Sequence, residues 1–160
     1  MPEITEIRIR KEALKFAASH MTVFADGSKE SLHGHHYVPT VRITLKDTSF
    51  AKMIAFSEIK AAMKKIAQLW DEKVLLAVQN PFFKIKKNSR TSISFTLCKK
   101  EYLLPSDEVV LLRVDNITCE NLARAYYEFL NMELDFKKFK SVTVDIEESA
   151  GQGASYSRGK

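Results

Sequence analysis

Residues 33–45 read HGHHYVPTVRITL, and their alternation is the strongest structural signal in the chain. The odd positions carry His, His, Tyr, Pro, Val, Ile and Leu, while the even positions from His36 onwards are mostly polar. This period-two pattern predicts a long strand with one buried face. Pro39 has no N–H group to donate to a neighbouring strand, so we expect a sheet edge or a bulge close to it.

Two segments change to helical spacing. The first begins near Ser57, a candidate cap, and repeats apolar residues at Ile59, Met63, Ile66, Ala67 and Trp70. The second is opened by Thr118 or Asn116 and repeats them at Leu122, Ala125, Tyr126, Phe129 and Leu130. Spacings of three and four residues predict two amphipathic helices. We expect the aromatic residues of these stripes to lie in the core.

Three further extended regions complete the expected order of elements. The chain opens with a mostly extended segment over residues 4–20, and it closes with alternating apolar residues from Val142 to Ile146. Between the helices, apolar residues alternate over 93–97, and a second apolar run at 109–114 suggests a hairpin. The order predicts an α+β domain with both helices on one face of a mostly antiparallel sheet. Because such a sheet has two free edges, we expect it to form oligomers.

Composition limits the classes of protein to consider. The 160 residues carry 25 Lys and Arg against 20 Asp and Glu, a formal charge of +5, and 45% are hydrophobic. These values are typical of a single globular domain, here 1–160. No apolar run approaches the roughly 18 residues of a membrane span, and the opening residues lack a signal-peptide pattern, so we expect a cytoplasmic protein without membrane contact.

The basic clusters lie in turn-like segments, and no nucleic-acid-binding module is recognisable, so we expect no nucleic-acid partner. The two cysteines, Cys98 and Cys119, lack the spacing of a disulfide scaffold or a zinc ribbon.

Three of the four histidines form a candidate metal site. His33 and His35 share one side of the predicted strand, and Gly34 between them would let the backbone approach a bound group. An antiparallel turn would return His20 beside this pair. Three neutral imidazoles with a fourth position open are typical of catalytic zinc. The alternative is a pair of half-exposed strand histidines, whereas His36 faces the other side.

A carboxylate near the end of the chain allows two interpretations. Glu148 has the same strand parity as Val142, Val144 and Ile146, so an extended strand would point it to the apolar side. There it could accept two N–H bonds from the guanidine-like edge of a heterocycle. If the strand ends earlier, Glu148 is solvated like Glu147. Sequence physics leaves both open.

Five blocks of the chain resemble the 6-pyruvoyl tetrahydropterin synthase family, which includes 6-carboxytetrahydropterin synthases and forms that cleave the dihydroneopterin side chain. The blocks are Phe16–His20 (FAASH), Leu32–Tyr37 (LHGHHY), Phe56–Lys60 (FSEIK), Thr118–Ala123 (TCENLA), and Glu148 eight residues before Tyr156. The resemblance runs from about residue 4 to the end of the sequence. The stretch at about 77–108 looks like an insertion.

The resemblance implies a tunnelling fold, in which each subunit contributes a four-stranded antiparallel sheet with two helices on one face. Three subunits then close a barrel, and two trimers stack into a hexamer. It also implies that His20, His33 and His35 bind zinc and that Glu148 anchors the pterin ring with help from Thr118. The zinc would act as a Lewis acid on the side-chain oxygens of the dihydropterin.

Departures from the family pattern bear on the reaction. The synthases that remove triphosphate have a Cys shortly before the His-Gly-His motif, whereas residues 27–32 contain none and offer Glu30 instead. Where those synthases have an Asp-His pair, this chain has Asp71-Glu72. We expect these two carboxylates to assist Glu30 in proton transfer. A Glu in place of the Cys resembles the subgroup that converts dihydroneopterin or its phosphate to 6-hydroxymethyl-dihydropterin. We therefore expect a zinc-dependent lyase. The alternatives are a 6-carboxy- or 6-pyruvoyl tetrahydropterin synthase acting on dihydroneopterin triphosphate, and a non-catalytic pterin-binding protein.

Overall fold

The computed structural model describes residues 3–158 and has two helices and ten strands within that range. The helices are α1 (Phe56–Trp70) and α2 (Cys119–Glu133). The strands are β1 (Glu6–Ile9), β2 (Phe16–His20), β3 (His33–Leu45), β4 (Lys73–Ala77), β5 (Phe83–Asn88), β6 (Ser92–Leu97), β7 (Lys100–Pro105), β8 (Val109–Leu112), β9 (Phe139–Ser149) and β10 (Gln152–Ser157).

The long strand β3 organises the main sheet. Its first half pairs antiparallel with β2, where His20 lies opposite His33, and its second half pairs with β1. Its other edge pairs with β9, which in turn pairs with β10. These strands form the four-stranded antiparallel sheet of the tunnelling fold, with β1 and β2 sharing one position. Pro39 lies between the segments that face β2 and β1, where neither strand is its partner.

Two short strands extend this sheet in parallel. β4 pairs with β2, and β8 pairs with β4. The run at 109–114 therefore does not belong to a hairpin with residues 93–97, contrary to the sequence interpretation. The insertion instead contains a separate three-stranded sheet, β5-β6-β7. The apolar side chains of Phe95 and Leu97 from this sheet pack with Met21 and Leu76 of the main body.

Both helices lie on one face of the main sheet and close a common core. Trp70 of α1 is fully buried, with its ring 5.4 Å from that of Phe16 and 5.8 Å from that of Tyr126 on α2. Thr118 caps α2, because its Oγ1 accepts from the Asn121 N–H at 3.5 Å. Ser57 does not cap α1, since the helix already begins at Phe56 and no side-chain hydrogen bond caps it.

The opposite face of the sheet is polar. Arg42 donates two hydrogen bonds to Asp145, Nε to Oδ2 at 2.8 Å and an Nη to Oδ1 at 2.9 Å. Arg10 forms an ion pair with Glu147 at 2.7 Å. Strand alternation therefore separates an apolar, helix-covered face from a charged face on the same strands. Neither described helix has the length and apolar character required to cross a membrane.

Candidate active site

The paired ends of β2 and β3 bring the three predicted histidines together on the helix-covered side of the sheet. The ring centroids of His20 and His33 are 4.6 Å apart, those of His20 and His35 5.3 Å, and those of His33 and His35 4.9 Å. Each ring offers a nitrogen within 4.8 Å of the other two. One ion could therefore contact all three side chains.

The hydrogen bonds of these rings leave nitrogens available for a metal. His20 Nδ1 lies 3.0 Å from the Ile117 carbonyl oxygen, and His33 Nδ1 lies 2.8 Å from that of Ser31. A carbonyl only accepts, so both Nδ1 atoms are assigned the proton, which leaves both Nε2 lone pairs free. Carbonyl partners of this kind orient metal-binding imidazoles.

His20 provides the strongest test of fit. Its side chain is 3% exposed, and its buried Nε2 has no hydrogen-bond partner among residues 3–158. Burial lowers the pKa of His20, although the hydrogen bond to the Ile117 carbonyl opposes this change. A neutral imidazole with a buried, unpaired acceptor nitrogen fits a metal ligand, because a buried polar atom without a partner is otherwise costly.

Two carboxylates lie beside the histidine cluster. Glu30 Oε2 is 3.9 Å from His33 Nε2, and Glu148 Oε2 is 3.9 Å from His35 Nε2. The hydrogen bond between the side chains of Thr22 and Glu30 lowers the pKa of Glu30, which keeps this carboxylate ionised. Glu30 remains 42% exposed, so it is open to a ligand.

Glu148 lies within β9, which ends one residue later at Ser149. Its side chain is 19% exposed, and Gln152 Nε2 donates to its Oε1 at 2.6 Å. The neighbouring Glu147 is on the charged face and pairs with Arg10. Of the two sequence interpretations, the half-buried carboxylate within the strand agrees with this structure.

Thr118 and Cys119 bring the start of α2 to the same cluster. Burial, and then the neighbouring Glu148 carboxylate, raise the pKa of Cys119 to about 12. The start of a helix ordinarily lowers the pKa of a thiol, but burial outweighs that influence here. Cys119 is therefore a protonated neighbour of Glu148 rather than a thiolate. Sequence reasoning missed it, although it directly follows the predicted cap Thr118.

Tyr37 was also missed as part of this site. Its ring centroid lies 6.2 Å from that of His20 and 5.7 Å from that of His35. Burial is the main cause that raises the pKa of Tyr37, so the side chain stays neutral. The sequence indicated this position, because Tyr37 follows His35 by two residues and therefore shares the strand face of His33 and His35.

Asp71 and Glu72 lie apart from the cluster within one chain. Asp71 follows the last residue of α1, and its Oδ1 accepts from the Ala17 N–H at 2.8 Å. Glu72 lines a cavity of about 470 Å³ at the edge of the sheet together with Ser19, His36 and also His35. Neither carboxylate is within 4.0 Å of a histidine nitrogen in the described part of the chain, unlike Glu30 and Glu148.

Gly34 has a different role from the predicted approach of the backbone to a ligand. A Cβ at this position would lie 3.1 Å from the Ala18 carbonyl oxygen and 3.2 Å from Ser19 Oγ. Strand parity directs it away from the face of His33 and His35. The glycine therefore allows β3 to pack closely on β2.

An antiparallel sheet that ends in three histidines and two carboxylates, beside the start of a helix, defines a candidate metalloenzyme of the tunnelling fold. The sequence model described as "6-pyruvoyl tetrahydropterin synthase" matches residues 8–159. This chain belongs to the 6-pyruvoyl tetrahydropterin synthase family.

A related sequence agrees with this membership, and solved structures agree with the fold. A Methanocaldococcus jannaschii protein, provisionally named 6-carboxy-5,6,7,8-tetrahydropterin synthase, is 29% identical over 147 residues, which cover 89% of each chain. The crystal structure of Plasmodium vivax 6-pyruvoyl tetrahydropterin synthase superposes with a TM-score of 0.88 at 22% identity, covering 99% of this chain and 100% of that one. A variant of the Plasmodium vivax enzyme, with alanine in place of a catalytic glutamate, has the same TM-score and coverage at 21% identity.

Proposed function

We propose that this chain is a zinc-dependent lyase that cleaves the side chain of dihydroneopterin, or of its phosphate, to give 6-hydroxymethyl-dihydropterin. The observation that carries the proposal is the position of the Glu30 carboxylate. Its Oε2 lies 3.9 Å from His33 Nε2, so it would be beside a substrate bound to a metal at the histidine cluster. Family membership supplies the pterin as the substrate class. A carboxylate at this position favours a reaction that proceeds by proton transfer rather than one that requires a thiolate.

Zinc is the metal that the donor set favours. His20, His33 and His35 would hold it through neutral imidazole nitrogens, and no cysteine or further carboxylate belongs to the described cluster. Three such ligands leave a position for substrate, as in catalytic zinc sites. When bound, zinc supplies Lewis-acid polarisation of the substrate's side-chain oxygens.

Glu30 would act as the base and then as the acid. Its carboxylate takes the proton of the hydroxyl on the second side-chain carbon, and the bond between the first and second side-chain carbons breaks. The electron pair of that bond moves to the first carbon, where the pterin ring delocalises it, while the second carbon leaves as an aldehyde. Return of the proton from Glu30 to the first carbon gives the hydroxymethyl product and regenerates the carboxylate.

Glu148 and Thr118 would hold the ring. A carboxylate can accept two N–H bonds from the amino-pyrimidinone edge of a pterin, and such charge-assisted bonds are short and strong. Glu148 is half-buried, so water competes less for it than for an exposed carboxylate. The cap residue Thr118 lies at the start of α2, next to Cys119, the neighbour of Glu148.

Two observations favour glutamate over a thiol as the proton-transfer group. Cys119 has a pKa of about 12, so it does not supply a thiolate at neutral pH. The Plasmodium vivax relative has a catalytic glutamate, so a carboxylate can serve in this family. The role of Glu30 extends that precedent to this chain.

Asp71 and Glu72 would contribute through assembly, because neither carboxylate lies within 4.0 Å of a histidine nitrogen in the described part of one chain. We propose that the protein forms a trimer or a hexamer, in which a neighbouring subunit brings them near Glu30. Closing the sheet into a barrel would also remove its free edges. Light scattering at micromolar concentration should give a trimeric or hexameric mass. A monomeric mass would contradict this part of the proposal.

Product identification tests the reaction. Zinc-loaded protein is incubated with dihydroneopterin, its monophosphate and its triphosphate, each with and without a chelator, and the products are separated by chromatography. We expect 6-hydroxymethyl-dihydropterin from the first or second substrate, and none after zinc removal. A 6-carboxy product would instead favour the activity in the provisional name of the Methanocaldococcus jannaschii relative. Pterin binding without turnover would indicate a non-catalytic binding protein.

A further inference from the structure

We infer that Gln152 and Gly153 are positioning residues for Glu148, because they lie opposite a β-bulge of β9 and hold its carboxylate toward the site. This inference rests on the proposed role of Glu148 as the ring anchor. It assigns a function in binding to two residues that lie outside the motifs of the histidine site. Three independent features of the β9–β10 hairpin support it.

The first feature is the pairing register. Gln152 pairs with Ser149 and the next residue, Gly153, pairs with Glu147, so the register shifts between them. Glu148 is therefore the extra residue of a bulge, without a partner on β10. Bulges locally bend a strand and re-aim its side chains, and they are frequent next to active sites.

The second feature is the close contact at Gly153. A Cβ at this position would lie 2.2 Å from the Ile146 carbonyl oxygen and 2.8 Å from the Glu147 Cα. Both are backbone atoms of β9, so no side-chain rotation could relieve the overlap. Only glycine allows β10 to lie this close to the bulge. Gly151 in the same hairpin differs, because a Cβ there would meet nothing within 4 Å.

The third feature is the hydrogen bond from Gln152. Its Nε2 donates to Glu148 Oε1 at 2.6 Å, while Oε2 of the same carboxylate lies 3.9 Å from His35 Nε2. A carboxylate has about four acceptor positions, so one bond from Gln152 leaves enough for two ligand N–H groups. A carboxylate held in one orientation loses less side-chain freedom when it binds a ligand. Gln152 would thus increase affinity without touching the ligand.

The test measures the dissociation constant of 7,8-dihydroneopterin for zinc-loaded protein in a Glu30→Ala background, in which the ligand should bind without appreciable cleavage. Gln152→Met keeps the length of the side chain and removes its N–H donor. We expect this variant to bind about three- to tenfold more weakly, the size of effect expected when a flexible side chain has to be ordered on binding. Zinc content and melting temperature should remain close to those of the unmodified protein.

A double-mutant cycle separates positioning from a general structural effect. In the Glu148→Gln background, residue 148 carries a neutral amide, so Gln152 no longer holds a charged carboxylate in place. Gln152→Met should then change the dissociation constant by less than about twofold. Equal effects of Gln152→Met in both backgrounds would overturn the inference. So would an unchanged dissociation constant in the Glu148-containing protein.

The glycine pair supplies a matched comparison. Gly153→Ala should weaken dihydroneopterin binding by at least about tenfold with zinc retained, because the overlap with β9 displaces the bulge. Gly151→Asn should bind normally, since Asn tolerates the positive φ of 78° at that position. If Gly153→Ala fails to fold, the Gln152→Met cycle still decides the question.

Failure of the inference and failure of the proposed function give different results. If Glu148→Gln itself binds dihydroneopterin normally, Glu148 is not the ring anchor, and the proposed function loses that element. If Glu148→Gln binds weakly but Gln152→Met and Gly153→Ala bind normally, only the positioning role is wrong.

Discussion

Two polar clusters lie on opposite faces of β3. They differ in whether their hydrogen-bonding groups find partners within the chain. On the charged face, Arg42 donates two hydrogen bonds to Asp145, and Ser155 donates a further one to the same carboxylate. On the helix-covered face, the buried Nε2 of His20 has no partner among the described residues. One strand therefore carries a complete polar cluster and an incomplete one.

The difference separates structure from function. A polar cluster whose donors and acceptors match needs no ligand, and its residues contribute to stability. A buried acceptor without a donor is costly unless something outside the chain binds it. The histidine cluster is therefore the place where a bound group is expected, and the Arg42–Asp145 cluster is not. Four substitutions test this contrast.

The largest effect is expected from His35→Ala. Losing a residue that only hydrogen-bonds to a metal ligand lowers metal affinity by about 10–100-fold. Losing one of the three imidazole ligands should lower zinc affinity by more than this, and turnover should fall to background. Metal analysis after dialysis measures the zinc. His36→Ala, on the other face of β3, is the control and should keep full zinc content. Full zinc occupancy after replacing all three of His20, His33 and His35 would rule out the site.

Glu30→Ala should come next. Removing the proposed proton-transfer group should reduce turnover by about 10²–10⁴-fold while zinc content and pterin binding persist. Steady-state kinetics and equilibrium binding measure the two properties. Asp26→Ala is a suitable control, because Asp26 belongs to the same turn and its carboxylate bonds to Ser28. Turnover equal to that of the unmodified enzyme would show that another group transfers the proton.

Glu148→Gln should have an intermediate effect. The variant keeps the shape of the side chain but loses its charge. Hydrogen bonds to a charged group contribute roughly 1.5–3 kcal/mol each, about twice as much as neutral ones, so pterin affinity should fall at least about tenfold. Zinc content should not change. Glu147→Gln is the matched control, since that neighbour lies on the charged face with Arg10. The same loss of affinity in both variants would contradict the separation of the two faces.

Arg42→Met should have the smallest effect, and it should appear only in stability. Asp145 would lose its bidentate partner, which should lower the free energy of unfolding by about 1–2 kcal/mol after allowing for partial exposure. Zinc content and pterin affinity should not change. A loss of zinc would show that the two faces are coupled.

The same variant has an expected pH dependence. Burial tends to raise the pKa of Asp145, but hydrogen bonds from Arg42 and Ser155 lower it below its usual value. The stabilisation is therefore present above the unfolded-state pKa of about 3.9 and is lost as the pH falls below it. In denaturant unfolding, the difference in the free energy of unfolding between the unmodified protein and Arg42→Met should become smaller below about pH 4. A difference that becomes larger in that range would show that another group causes the loss of stability.

Much of the site follows from local sequence, because strand parity and helical spacing are local properties. The alternation in 33–45 places His33 and His35 on one face, and the same rule places Glu148 on the apolar side of β9. The spacing of apolar residues predicts both helices, and Thr118 is recognisable as a cap from its residue type. The opposite position of His36 follows from the same parity.

Other features depend on which distant segments meet, and local periodicity does not encode that choice. The run at 109–112 becomes β8 because it pairs in parallel with β4, a strand more than thirty residues earlier that sequence patterns do not single out. The proximity of Gln152 to Glu148 depends on the register of a hairpin with a bulge. Sequence determined which side chains share a face. Only the tertiary structure decided which of them remain without a partner, because burial and hydrogen-bond satisfaction arise when separate elements pack together.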